Sequence, residues 1–274
     1  MATAKKIVMA AAGVSSGTTT PALTQAFHSG VLSGGTSQST YSTWAYTFTA
    51  PALPSGYVAG ERHFFVMTGT RDSQGAISQN RYENTLSSLR IVNSANSIDV
   101  TTARASMTVE ADGHSDYNSA IIGQIIADAV GSTTITVTRS YSHGGGSHYV
   151  GVLVVDGVTT INSSDANGVS TAASTSSVTV SGVTTGTAGT AQLRMVVGAS
   201  SNSGSANPVY NKTTNEPTYT TLGQGENGTS ERYGMFYSFE AAGGGNTQAI
   251  DGTVTTSTAS GDGIGYAAAV VNLS

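Results

Sequence analysis

The chain has 274 residues, long enough for one large domain or two ordinary ones, and a hydrophobic fraction of 38% can fill a core in either case. Charged residues make up only 10% and sum to a net charge of -5, with lysine at positions 5, 6 and 212 alone and arginines scattered from Arg62 to Arg232. No positive stripe can displace counterions from a nucleic-acid backbone or grip an anionic membrane, and a chain without cysteine has no disulfide, no thiolate nucleophile and no Cys-ligated zinc.

The first stretch, "MATAKKIVMAAAGVSSG", sets Lys5 and Lys6 before an apolar run from Ile7 to Val14. The run is near the lower limit for a secretory signal and too short to span a bilayer, so it reads as an ordered N-terminal arm. Ile7, Val8, Met9 and Val14 stand outside any sheet and call for a partner, which makes them the expected docking residues. Further on, "PALTQAFHSGVL" reads as a short helix from Pro21, at its first position, to Leu32.

From Ser42 onward apolar residues recur with period two. "STWAYTFTA", "RHFFVMTG", "SLRIV", "SMTVEA" and "SAIIGQIIA" follow one another, and in "STTITVTRS" Ile135 and Val137 alternate with Thr134, Thr136 and Thr138. That is the pattern of strands with one wet face. "SSVTVSG", "QLRMVVGA", "PTYTTL", "RYGMFYSF", "GTVTTS" and "YAAAVVNL" continue it, and turns rich in Gly, Ser and Asn separate them. So many short, punctuated strands predict an all-β sandwich or jelly roll.

An internal repeat refines this prediction. "TITVTRSYSHGGGSHYVGVLVV" from Thr134 lies without gaps over "DGTVTTSTASGDGIGYAAAVVN" from Asp251, so that Tyr149 falls on Tyr266 and the Gly-rich turn recurs before it. Upstream, the strand, loop and strand from Ser42 resemble those from Ser174, and the stretch from Ala120 resembles that from Gly234. The fold expected is therefore two tandem related antiparallel β-sandwich (jelly-roll-like) domains, residues 37–162 and 163–274, preceded by an N-terminal arm, residues 1–36. The linker falls in "INSSDANGVSTAAS", residues 161–174, and each Gly-rich turn is read as a hairpin.

Chemistry is sparse. His143 and His148 flank the glycines of "YSHGGGSHY" and offer two imidazoles to a transition metal that needs three or four ligands; the repeat replaces them with Ser260 and Gly265, which leaves the turn as the shared feature. In "EADGHSD", Glu110, Asp112 and Asp116 have the alternate spacing of a Ca²⁺ loop without the full EF-hand pattern, and the stretch reads first as a surface loop. "GHSD" from Gly113 sets Ser, His and Asp side by side, the wrong geometry for a relay, and no Gly-x-Ser-x-Gly elbow occurs. Nothing selects a facing pair of carboxylates for glycoside hydrolysis. No enzyme activity and no cofactor are expected. Tyr57, Tyr82, Tyr117, Tyr210 and Tyr219 fall in or beside loops, where they could stack on sugars or pack at a rim.

The strand, small-residue turn and strand of "IIADAVGSTTITVTRS", followed by the Gly-rich turn and "YVGVLVVDG", resemble virion structural proteins of tailed bacteriophages, as does a Thr-rich, cysteine-free composition. The resemblance implies a virion location and a role as head decoration, fibre or tail component, with other virion subunits and copies of the chain itself as partners. The alternative is a carbohydrate-binding adhesin or receptor-binding module, whose partner would be a host-surface glycan.

Overall fold

The computed structural model of the protein describes residues 20–33, 42–57, 61–72, 89–93, 97–100, 105–108, 119–127, 133–141, 146–171, 175–183, 190–201, 206–226, 231–241, 249–256 and 264–274. These residues form antiparallel sheets and no helix, an all-β, sandwich-like architecture. The strands are β1 (Ala22–Ser33), β2 (Ser42–Ala50), β3 (Arg62–Asp72), β4 (Leu89–Asn93), β5 (Ser97–Val100), β6 (Ala105–Thr108), β7 (Ser119–Ala127), β8 (Thr133–Tyr141) and β9 (Gly146–Asp156). They continue with β10 (Ile161–Thr171), β11 (Ser177–Thr179), β12 (Ala191–Ser201), β13 (Val209–Asn211), β14 (Thr220–Glu226), β15 (Glu231–Glu240), β16 (Thr253–Thr255) and β17 (Ile264–Leu273).

Strands β1-β9-β3-β7-β6 form a first inner sheet and β2-β8-β4-β5 a first outer sheet; β10-β17-β12-β15-β14 form a second inner sheet and β11-β16-β13 a second outer sheet. The ladders are nested. β1 pairs with β9, β2 with β8, β3 with β7 and β4 with β5, and then β10 pairs with β17, β11 with β16 and β12 with β15. First pairs with last and second with second-last, as in one long two-stranded ribbon folded over. The ladders β3–β9, β4–β8, β12–β17 and β13–β16 then close each fold of the ribbon into sheets.

Both inner sheets are covered on two faces. Phe65 and Met67 of β3 with Tyr149, Leu153 and Val155 of β9 meet Leu193, Met195 and Val197 of β12, Met235 of β15 and Ala267 and Ala269 of β17 in one central core. The alternate residues Val196, Phe236, Tyr266, Ala268 and Val270 turn the other way, onto Val178, Tyr210 and Val254 of the second outer sheet. All ten residues of β17 are consequently buried. On the first inner sheet the alternates Phe64, Val66, Val152 and Val154 are equally buried, and β2, β4 and β5 lie against β9 and β7. The order of layers is outer, inner, inner, outer, and the inner contact is reciprocal: β1 lies against β14, β6 against β10 and β3 against β12.

Four expectations are corrected. Residues 22–33 are strand β1, not a helix: the ladder to β9 satisfies the backbone, and Gly30, at φ 70, sits where the register shifts between His28 and Val31, a left-handed conformation that a helix cannot contain. Residues 161–171, expected as a linker, are strand β10, paired along β17. The strands on either side of each Gly-rich stretch do not pair as a hairpin, because β8 and β16 belong to outer sheets and β9 and β17 to inner ones. Finally, the gapless overlay of the repeat equates residues on opposite faces, since Tyr149 belongs to the central core and Tyr266 to the outer one. Side chains alternate with a period of two, so a slip of one residue inverts a whole strand. Strand order recurs between the two sets of sheets while the residue-for-residue match does not.

Candidate functional site

With so few charges, the buried polar groups show where side-chain chemistry is concentrated. Arg62 opens β3 and Asp156 closes β9, at neighbouring ladder positions, and both side chains are fully buried. Arg62 Nε lies 2.7 Å from Asp156 Oδ1 and Nη2 lies 2.9 Å from Oδ2, a two-point fork. Arg62 Nη1 donates to the Pro51 carbonyl at 2.6 Å, and the Thr24 hydroxyl donates to Asp156 Oδ2 at 2.7 Å. One ion pair thus ties β1, β3, β9 and the segment after β2.

A second cluster surrounds Glu216, buried in the turn between β13 and β14. Its Oε1 accepts from the Tyr210 hydroxyl at 2.9 Å and from the Asp251 N–H at 2.8 Å, and its Oε2 accepts from the Thr213 N–H at 2.8 Å. Tyr210 Oη in turn accepts from the Gly252 N–H at 3.0 Å, and the Tyr219 ring lies 4.4 Å from that of Tyr210. Burial first, then the neighbouring Tyr219 and the Glu216 carboxylate, push the Tyr210 phenol far above its ordinary range, and burial does the same to Tyr219. Both remain protonated; Tyr210 donates to Glu216, and the Tyr219 ring packs against it.

Arg194, fully buried in β12, reaches Glu240 Oε2 at 2.7 Å and Gln192 Oε1 at 2.6 Å. The fourth cluster lies between the inner sheets: His28 Nε2 of β1 is 3.0 Å from Tyr233 Oη of β15, and Tyr233 stacks on Tyr149 of β9 with ring centroids 4.5 Å apart. Burial pushes the His28 imidazole down and the Tyr233 phenol up. In the first two clusters every carboxylate oxygen accepts a hydrogen bond, and all but Glu216 Oε2, which accepts from Thr213 of its own turn, take one from another strand or turn, the arrangement of a cross-tie that satisfies a buried charge.

Of the residues singled out in the sequence, Ile7, Val8, Met9, Val14, Glu110, Asp112, His114, Asp116 and His143 lie outside the described residues. His148 is on β9, its backbone opposite Leu32 of β1 and Thr70 of β3. Among the described residues no three His, Cys, Asp or Glu side chains gather to hold a metal ion. Of the loop tyrosines, Tyr57 lies against Gly157 and Tyr210 and Tyr219 are taken into the Glu216 cluster, whereas Tyr82 and Tyr117 lie outside the described residues. One of the clusters had a faint signal: in a chain this poor in charge, Arg62 and Asp156 stand at the ends of apolar runs. Glu216 and His28 had none.

No protein-family model matches the chain, and no curated protein or solved structure matches it.

Proposed function

We propose that the protein is a structural component of a virus particle, a head decoration, fibre or tail subunit that acts by self-assembly or by docking to other virion subunits. The observation that carries this reading is the four-layer stack, in which nested ribbons meet through one continuous apolar core and the buried polar groups are spent on cross-ties between strands. A subunit repeated many times over a particle needs that rigidity. It also needs a segment that reaches its neighbours, and Ile7, Val8, Met9 and Val14 supply the apolar residues for it.

The pairing order of each ribbon is that of a jelly roll, and we read the two as tandem related sandwich domains. On this reading the halves begin with β1 and β10 rather than at residues 37 and 163, because those strands close the edges of the inner sheets. The docking segment is then the part of the arm before β1. The adhesin reading loses support from Tyr210 and Tyr219, whose rings are engaged in packing.

Deletion of residues 1–19 tests the proposal. The truncated protein should keep its β-rich circular dichroism and fail to form assemblies or to co-sediment with particles. Unchanged assembly, or a full-length chain that stays monomeric and binds glycans, would overturn it.

A further inference from the structure

His28 lies in the middle of edge strand β1, at the point where the ladder to β9 shifts register. Its ring does not stay within its own sheet. It rests on the backbone of β14, where a Cβ on Gly223 would run into the imidazole Cδ2 and Nε2 and lie 2.6 Å from Cγ. The same ring reaches Tyr233 Oη at 3.0 Å, and Tyr233 is backed by Tyr149. β1 is thereby fastened to the second inner sheet by a half-buried imidazole laid into a glycine-sized gap.

We propose that His28 is a pH-sensitive clasp, which holds β1 against the second inner sheet while its imidazole is neutral and releases the strand when the ring is protonated.

The neutral ring has one nitrogen to donate and one to accept, and the Tyr233 phenol oxygen at Nε2 suits it. The imidazolium adds a charge in a site where water is partly excluded. The groups that face it include the Tyr233 phenol from β15, with the Tyr149 phenol of β9 behind it, and the Gly223 backbone from β14; Phe27 and Ser29 flank it on β1. None of these becomes negative in the acid range, and burial holds the Tyr233 phenol protonated to still higher pH. Consistent with this, burial lowers the His28 pKa below its ordinary value of 6.5. The open strand then binds the proton more readily than the closed one. The clasp is fully effective above pH 6.5 and loses strength as pH falls from there towards the lowered value.

Hydrogen exchange of the full-length protein between pH 7.5 and 5, corrected for the intrinsic pH dependence of amide exchange, reads the effect strand by strand. The opening constant of β1 should rise by up to about tenfold per pH unit below the ordinary histidine value, the limit for one proton, while β12 and β17 stay unchanged. His28→Gln, whose amide still pairs with Tyr233 Oη, should flatten the β1 profile. The pH titration of the His28 ring protons by NMR gives a second reading: the midpoint should lie below 6.5 in the native chain and return towards it in Gly223→Ala, where the ring cannot seat. A His28→Gln profile as steep as the native one, or a native midpoint at or above 6.5, would overturn the proposal.

Discussion

Asp156 and Tyr210 show how much a few polar side chains carry in this chain. Substituting Asp156 by Ala leaves the Arg62 guanidinium buried without its carboxylate, and such a loss costs about 3–5 kcal/mol; the expected result is a large fall in the denaturation midpoint. The double substitution Arg62→Met and Asp156→Leu removes both charges and should recover most of that loss, which a double-mutant cycle would measure. Tyr210→Phe deletes a hydroxyl that donates to Glu216 and accepts from the Gly252 N–H, two buried groups left short of a partner, for a loss of about 1–3 kcal/mol. These ties were barely legible in the sequence. Arg62 and Asp156 are 94 residues apart, and what joins them is a ladder register that no local pattern encodes. His143 and His148 stand out in the sequence only because they are close along the chain.

At the scale of the element, alternation was a good guide where one residue type marked each face, as in the Thr and β-branched residues of β8. It failed for β1. "PALTQAFHSGVL" has an N-terminal proline and a few helix formers, but its conformation is decided by the free edge of β9, and propensity is a weak prior beside a ladder. Gly-rich turns misled in another way: turn chemistry says that the chain bends, not which sheet the next strand joins. The strand assignment makes a prediction of its own. Removing residues 1–19 should leave the protein folded, whereas removing residues 1–33 strips β1 from β9 along with Thr24 from Asp156. The longer deletion should yield insoluble protein, as a solubility assay of both truncations would show, because the bared edge of β9 can pair with other chains.

For the whole molecule, the decisive fact is that the inner sheets share one core. The sequence announced two similar stretches but not that they would be packed face to face, since β9, β12 and β17 are apolar on both faces and alternation cannot say what covers each one. A shared core joins the halves thermodynamically. Calorimetry should show a single unfolding transition with equal calorimetric and van't Hoff enthalpies, rather than the two separate transitions of independent domains.

The nested ladders also set a timetable for synthesis. In the second inner sheet β17 stands between β10 and β12, so β10 has no ladder partner in that sheet and β12 has only β15 until residues 264–273 have emerged. The first inner sheet can close as soon as β9 is made; the second must wait, with the apolar faces of β12 and β15 exposed in the meantime. A ribosome stalled before Ile264 would hold a nascent chain whose second inner sheet lacks the strand that joins β10 to β12, the state most in need of a chaperone.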